Sequence, residues 1–122
     1  FRPFAPATLY EKSHEVCDVE KGYSCNYMEK VVQIREHNQP KLPAVTHFDG
    51  SGRLQTVRKE DNPFFYNIIQ EFEKLTNIPV VLNTSFNVNG EPIVLSPDDA
   101  LNTFFKSGLE YLVMEDWLII KK

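Results

Sequence analysis

Pro79-Val80-Val81-Leu82 is an unbroken apolar run that leads directly into the polar stretch Asn83-Thr84-Ser85-Phe86-Asn87-Val88-Asn89-Gly90. A run this short and this uniformly apolar suits a strand buried on both faces, and such a strand needs a sheet with layers packed against it. The preceding segment supplies one layer. Asn62 and Pro63 read as a helix N-cap and first-turn proline, and Phe64, Phe65, Ile68, Ile69, Phe72 and Leu75 follow at helical spacing to about Asn77.

The other segments fit the same architecture. Residues 1–11 carry two prolines among aromatic and small residues and read as an extended, packed segment. Residues 12–26 are polar and mixed and read as a surface loop. A strand is expected over 27–36. Residues 44–48 and 53–57 flank Asp49-Gly50-Ser51-Gly52, which is a hairpin signal. Pro92 to Leu95 reads as a short strand. Ser96 and Pro97 open a helix that carries Asp98 and Asp99 in its first turn and ends at Gly108. Strands over 110–114 and 117–120 turn around Glu115-Asp116. The sum is an α/β (α+β) fold, a mixed twisted sheet covered by helices, in one domain over residues 1–122.

Composition narrows the functional classes. The 122 residues can build one core, and 42% hydrophobic with 25% charged residues is ordinary globular usage. No apolar run approaches the roughly 20 residues of a membrane span. A net charge of −4 weighs against bulk binding to nucleic acid or anionic membrane, but leaves room for a local anion site. Cys17 and Cys25 can be drawn with His14 as three metal ligands. Their spacing suits two reduced thiols of a cytoplasmic protein better, and no metal site is expected here. The chain opens Phe-Arg-Pro without an initiator methionine and reads as cut from a longer protein.

Three segments carry candidate chemistry. Asn83, Thr84, Ser85 and Asn87 place short neutral donors and acceptors at the end of a buried strand, where open α/β sheets bind ligands; Asn and Gly there fit a plain turn equally. His47, Arg53 and Gln55 would share one face of the expected hairpin, with Arg53 suited to phosphate by its planar fork, although a solvated polar ribbon accounts for them as well. Arg2, between Phe1 and Pro3, is a stiffened cation that fits anion binding, stacking or a salt bridge. Glu91 could act as a base or merely sit at the surface. No phosphate-loop or dinucleotide-binding glycine motif is present.

The blocks FRPFAPATL at 1–9, PAVTHFDGSGRLQTV at 43–57, NPFFYNII at 62–69, PVVLNTSFNVNGEPIV at 79–94 and SPDDALNTFFKSGLEYLVMEDWLIIKK at 96–122 resemble the nodulation and antibiotic O-carbamoyltransferase family. Gly52 and Asn77 depart from its usual Ala and Gly, and residues 11–26 lack a clear match. The resemblance implies a two-domain enzyme. Its N-terminal domain carries iron and transfers the carbamoyl group to a hydroxyl. Its C-terminal YrdC-like domain binds ATP with Mg²⁺ and carbamoyl phosphate and forms carbamoyladenylate. This chain corresponds to the later part of the YrdC-like domain, so a partial fold is expected, partnered by the N-terminal domain and inactive alone.

On that resemblance His47 and Arg53 are the catalytic candidates, Arg53 and Arg2 at phosphates and His47 as a donor to a phosphate or carbamoyl oxygen. Arg2, Gln55, Asn83, Thr84, Ser85 and Asn87 are the binding candidates. A non-catalytic ligand- or RNA-binding domain of the same fold is the alternative; the acidic balance weighs against RNA.

Overall fold

The computed structural model describes residues 4–122 and has mixed α/β content with small sheets and helices, as the α+β reading expects. The chain divides into two compact units, the first ending at Thr84 and the second running Ser85–Lys122.

The first unit is built on strand β1, Ala5–Leu9, buried at all five residues. Its small side chains allow close approach from both edges. Strand β4, Gln55–Val57, pairs with β1 in parallel, and strand β5, Val80–Asn83, pairs with it antiparallel on the other edge. The register sets Gln55 opposite Ala7 and Asn83 opposite Ala5. Because side chains alternate, Ala5, Ala7, Leu9, Val57 and Val81 share one face. Helix α2, Pro63–Thr76, covers that face with Tyr66 and Ile69. The helix begins where the sequence predicts: Asn62 Oδ1 accepts from the Phe65 amide at 3.1 Å. It ends on Asn77 in the left-handed region at φ 61.

The opposite face holds Thr8 and Thr56, both buried. Their hydroxyls bind backbone: Thr8 Oγ1 donates to Pro79 O at 2.6 Å, and Thr56 Oγ1 accepts from the Cys25 amide at 2.8 Å. Over this face Val16, Cys17, Ile34, Leu42, Val45, Leu54 and Val80 form a second apolar cluster. The expectation of a surface loop over 12–26 is therefore corrected. Ser13–Val16 is a helical turn, α1, and Ser13, Val16, Cys17 and Cys25 are buried. Polar composition hid this because the buried residues are small or bind through backbone.

The 44–48/53–57 hairpin is also corrected. Thr46 Oγ1 donates to Leu42 O at 2.6 Å and the Val45 amide to Leu42 O at 3.3 Å, which curls 42–46 into turns. Strand β3, Ser51–Arg53, pairs instead with strand β2, Val31–Gln33, a shorter strand than the one expected over 27–36. After Leu54 the chain passes to β1 as β4. Partners distant in sequence outcompeted the local turn signal.

In the second unit, helix α3, Pro97–Lys106, is capped by Ser96 Oγ accepting from the Asp99 amide at 3.1 Å. Strands β6, Tyr111–Met114, and β7, Trp117–Ile120, form the expected hairpin around Glu115-Asp116. The expected strand at 92–95 does not form. Pro92 lacks an amide donor, the Val94 amide donates to Phe86 O at 3.0 Å, and Ile93 and Leu95 are exposed.

Candidate functional site

The first unit brings two candidates into contact. Asn83, at the end of β5, donates from Nδ2 to Gln55 Oε1 at 2.7 Å. These strands lie on opposite edges of β1, so the amides meet across that strand, above Ala5 and Ala7. Alanine at both positions leaves room for the bridge; a larger side chain would occupy it. The bond uses one group of each amide. Gln55 Nε2 and Asn83 Oδ1 have no partner among the described residues, so the pair leaves one NH₂ donor and one carbonyl acceptor unused. Turning both amides over leaves the same two kinds of group.

Gln55 also lines an open depression of about 550 Å³, with Asn26, Tyr27, Arg58, Asn62 and Phe65 among its walls. This is within the range of small-ligand sites. Arg58 lies 3.9 Å above the Tyr10 ring, and its guanidinium is 3.9 Å from Glu60. Sequence reasoning missed Arg58, although it directly follows the RLQTV block that carries Arg53 and Gln55.

The remaining candidates take separate places. Arg53 is exposed on β3, in the β2–β3 ribbon, while Gln55 belongs to the three-stranded sheet. Leu54, fully buried, separates them. His47 is half-buried in the turn before β3, with Nδ1 3.3 Å from Ser51 Oγ. Thr84 is exposed beside Asn83. Arg2 lies outside the described residues. In the second unit Ser85 Oγ donates to Asn87 Oδ1 at 2.6 Å, and Asn87 Nδ2 donates to Glu91 O at 3.0 Å. Asn87 thus organises its own loop, and Glu91 forms an ion pair with Lys106 at 2.9 Å.

Burial raises the Cys17 thiol to about 12, and Arg35 only partly opposes it. Burial raises Cys25 as well. Neither thiol is disposed to act as a nucleophile or ligand. No group of three or more His, Cys, Asp or Glu side chains converges among the described residues. No helix there is long and apolar enough to cross a membrane.

The family profile described as the carbamoyltransferase C-terminus matches residues 1–121 and so runs across both compact units. Nodulation protein NolO of Bradyrhizobium diazoefficiens is 43% identical over the whole of this chain, which covers 22% of that protein. Nodulation protein NolNO of Sinorhizobium fredii is 43% identical, with 18% of its length covered. An uncharacterized protein of Methanocaldococcus jannaschii, MJ1058, is 34% identical, with 20% covered. The chain spans about a fifth of the length of these relatives.

Proposed function

The chain belongs to the carbamoyltransferase C-terminus family, and from that premise we propose that it is the later part of an O-carbamoyltransferase that activates carbamoyl phosphate with ATP. The observation that carries the reading is the Gln55–Asn83 pair. A carbamoyl group has one carbonyl oxygen and one NH₂. The unused groups of the pair are the matching donor and acceptor, set above two alanines of the sheet.

The reaction on this reading has two stages. Water attacks carbamoyl phosphate and breaks the link between its carbamoyl and phosphate groups, giving carbamate, inorganic phosphate and a proton. A carbamate oxygen then attacks the α-phosphorus of ATP, forming carbamoyladenylate as the bond to pyrophosphate breaks. The chain's residues bind and orient. Gln55 and Asn83 hold the carbamoyl group, with Thr84 as a further neutral donor. Arg53 and Arg2 neutralise phosphate oxygens, and Arg58 adds a cation beside Gln55. His47 contacts the ligand through its outer nitrogen. Glu60 and Asp61 in the depression wall would hold Mg²⁺ through one or two carboxylates, and the ion would supply positive charge to the phosphates.

Transfer to a hydroxyl acceptor, with the iron that serves it, belongs to the polypeptide that makes up the other four-fifths of the relatives' length, and that polypeptide is the proposed partner. Apolar side chains on α2 support it: Phe64, Phe72 and Leu75 are 70%, 39% and 85% exposed along the helix.

Carbamoyl-phosphate-dependent exchange of pyrophosphate into ATP tests the reading. The full-length protein is expected to catalyse it and the 122-residue chain is not. A full-length protein that binds carbamoyl phosphate without any exchange would overturn the activation step.

A further inference from the structure

The turn from His47 to Ser51 contains a short polar relay. Ser51 Oγ is 2.6 Å from Asp49 Oδ1 and 3.3 Å from His47 Nδ1. The same Asp49 oxygen accepts the Ser51 backbone amide at 3.0 Å. Backbone bonds hold the turn: His47 N donates to Ser51 O at 2.6 Å, Gly50 N to His47 O at 2.9 Å, and Ile34 N to Gly50 O at 3.0 Å. Gly50 sits at φ 86, which a glycine adopts without strain.

A serine hydroxyl has one proton. The Ser51 hydroxyl and amide, together with lesser contributions, hold the Asp49 carboxyl below its ordinary range. Asp49 is therefore a carboxylate, able only to accept. The Ser51 proton goes to Asp49, and the Ser51 oxygen faces His47 Nδ1 with a lone pair. That contact is favourable only when Nδ1 carries a hydrogen. A neutral histidine side chain in water prefers its proton on the other nitrogen, Nε2.

We propose that Asp49 and Ser51 are positioning residues that hold neutral His47 as the Nδ1–H tautomer, so that Nε2 presents a lone pair and accepts a hydrogen bond from a ligand. The tautomer follows from the turn alone. Only the identity of the ligand rests on the carbamoyl-transfer reading, where the carbamoyl NH₂ is the donor common to carbamoyl phosphate and carbamoyladenylate. The direction is the reverse of the donor role expected from the sequence: neutral His47 accepts at Nε2, and only its imidazolium donates there.

Nitrogen NMR of the ¹⁵N-histidine-labelled chain tests the proposal at a pH about two units above the ordinary histidine pKa of roughly 6.5. The chain has three histidines, and His47→Gln assigns the His47 signals. Nδ1 of His47 is expected at a pyrrole-type shift and Nε2 at a pyridine-type shift. Exposed His37 serves as the reference with the opposite preference. Ser51→Ala should return His47 to that ordinary preference. Ser51 is buried, so Asp49→Ala, at an exposed position, provides the same test if Ser51→Ala does not fold. A pyridine-type Nδ1 in the unmodified chain, or an unchanged pattern in folded Asp49→Ala, overturns the proposal. Adding carbamoyl phosphate separates the two claims. An upfield move of Nε2 supports acceptance from the carbamoyl NH₂. An unmoved Nε2 beside an intact Nδ1–H removes carbamoyl phosphate as the His47 ligand and leaves the tautomer standing.

Discussion

Asn83 Nδ2 donates to Gln55 Oε1 at 2.7 Å, although the two residues are 28 positions apart and sit on strands separated by β1. The bond requires the parallel β1–β4 and antiparallel β1–β5 registers together, so the amide pair reports on the whole sheet.

Removing either member should impair carbamoyl handling without unfolding the unit. Gln55→Ala and Asn83→Ala are each expected to lower carbamoyl-phosphate-dependent pyrophosphate exchange in the full-length protein about fivefold, the value of one hydrogen bond at roughly 1 kcal/mol. Thermal denaturation of each variant should show the fold retained. Full activity in both would remove the pair from the site.

Both cysteines should resist thiol reagents in the native chain. Burial raises the Cys17 thiol to about 12 and also raises Cys25, so the reactive thiolate is scarce at neutral pH. Ellman's reagent is expected to label neither until denaturant is added. Rapid labelling of Cys17 under native conditions would contradict its burial.

Tyr66 should contribute stability that disappears in strong alkali. Its phenol donates to the Glu11 carboxylate, and that hydrogen bond, with burial and neighbouring carboxylates, raises it to about 12 from an ordinary 10.0. A raised folded value favours the protonated phenol. The contribution is therefore complete below about pH 10 and is lost as pH rises toward 12. Tyr66→Phe should cost about 1 kcal/mol at neutral pH, since one partner is exposed, and should flatten the alkaline loss. Denaturant titrations at neutral and alkaline pH measure both.

Asn77 closes α2 in the left-handed region at φ 61. Asn77→Gly should hold or raise stability, whereas Asn77→Ala should lose about 1 kcal/mol through Cβ strain. Equal midpoints for the alanine and glycine variants would contradict the cap geometry.

What the sequence reveals follows interaction range. The N-caps at Asn62 and Ser96 and the existence of a strand at Val80 were legible because each rests on neighbouring residues, whereas its expected burial on both faces is corrected: β5 is an edge strand with Leu82 exposed. The pairing of Gln55–Val57 with Ala5–Leu9 was not, because the Gly-rich turn at 49–52 suggested a closer partner. Burial of Cys17 and Cys25 was hidden by the exposed polar residues beside them, Asp18 and Ser24. Gln55 and Asn83 were singled out separately, for polarity and position; their contact required the β1 register. Arg58 escaped because an arginine after a strand ordinarily reads as solvated.

The most direct measurement is a side-chain and backbone NMR titration of the chain with Mg-ATP, with and without carbamoyl phosphate. Saturable shifts at the Gln55 and Asn83 side-chain amides that appear on adding carbamoyl phosphate are the predicted result. If both amides stay unmoved at millimolar ligand, or if saturable shifts fall only on residues away from this end of the sheet, the pair is not the carbamoyl site.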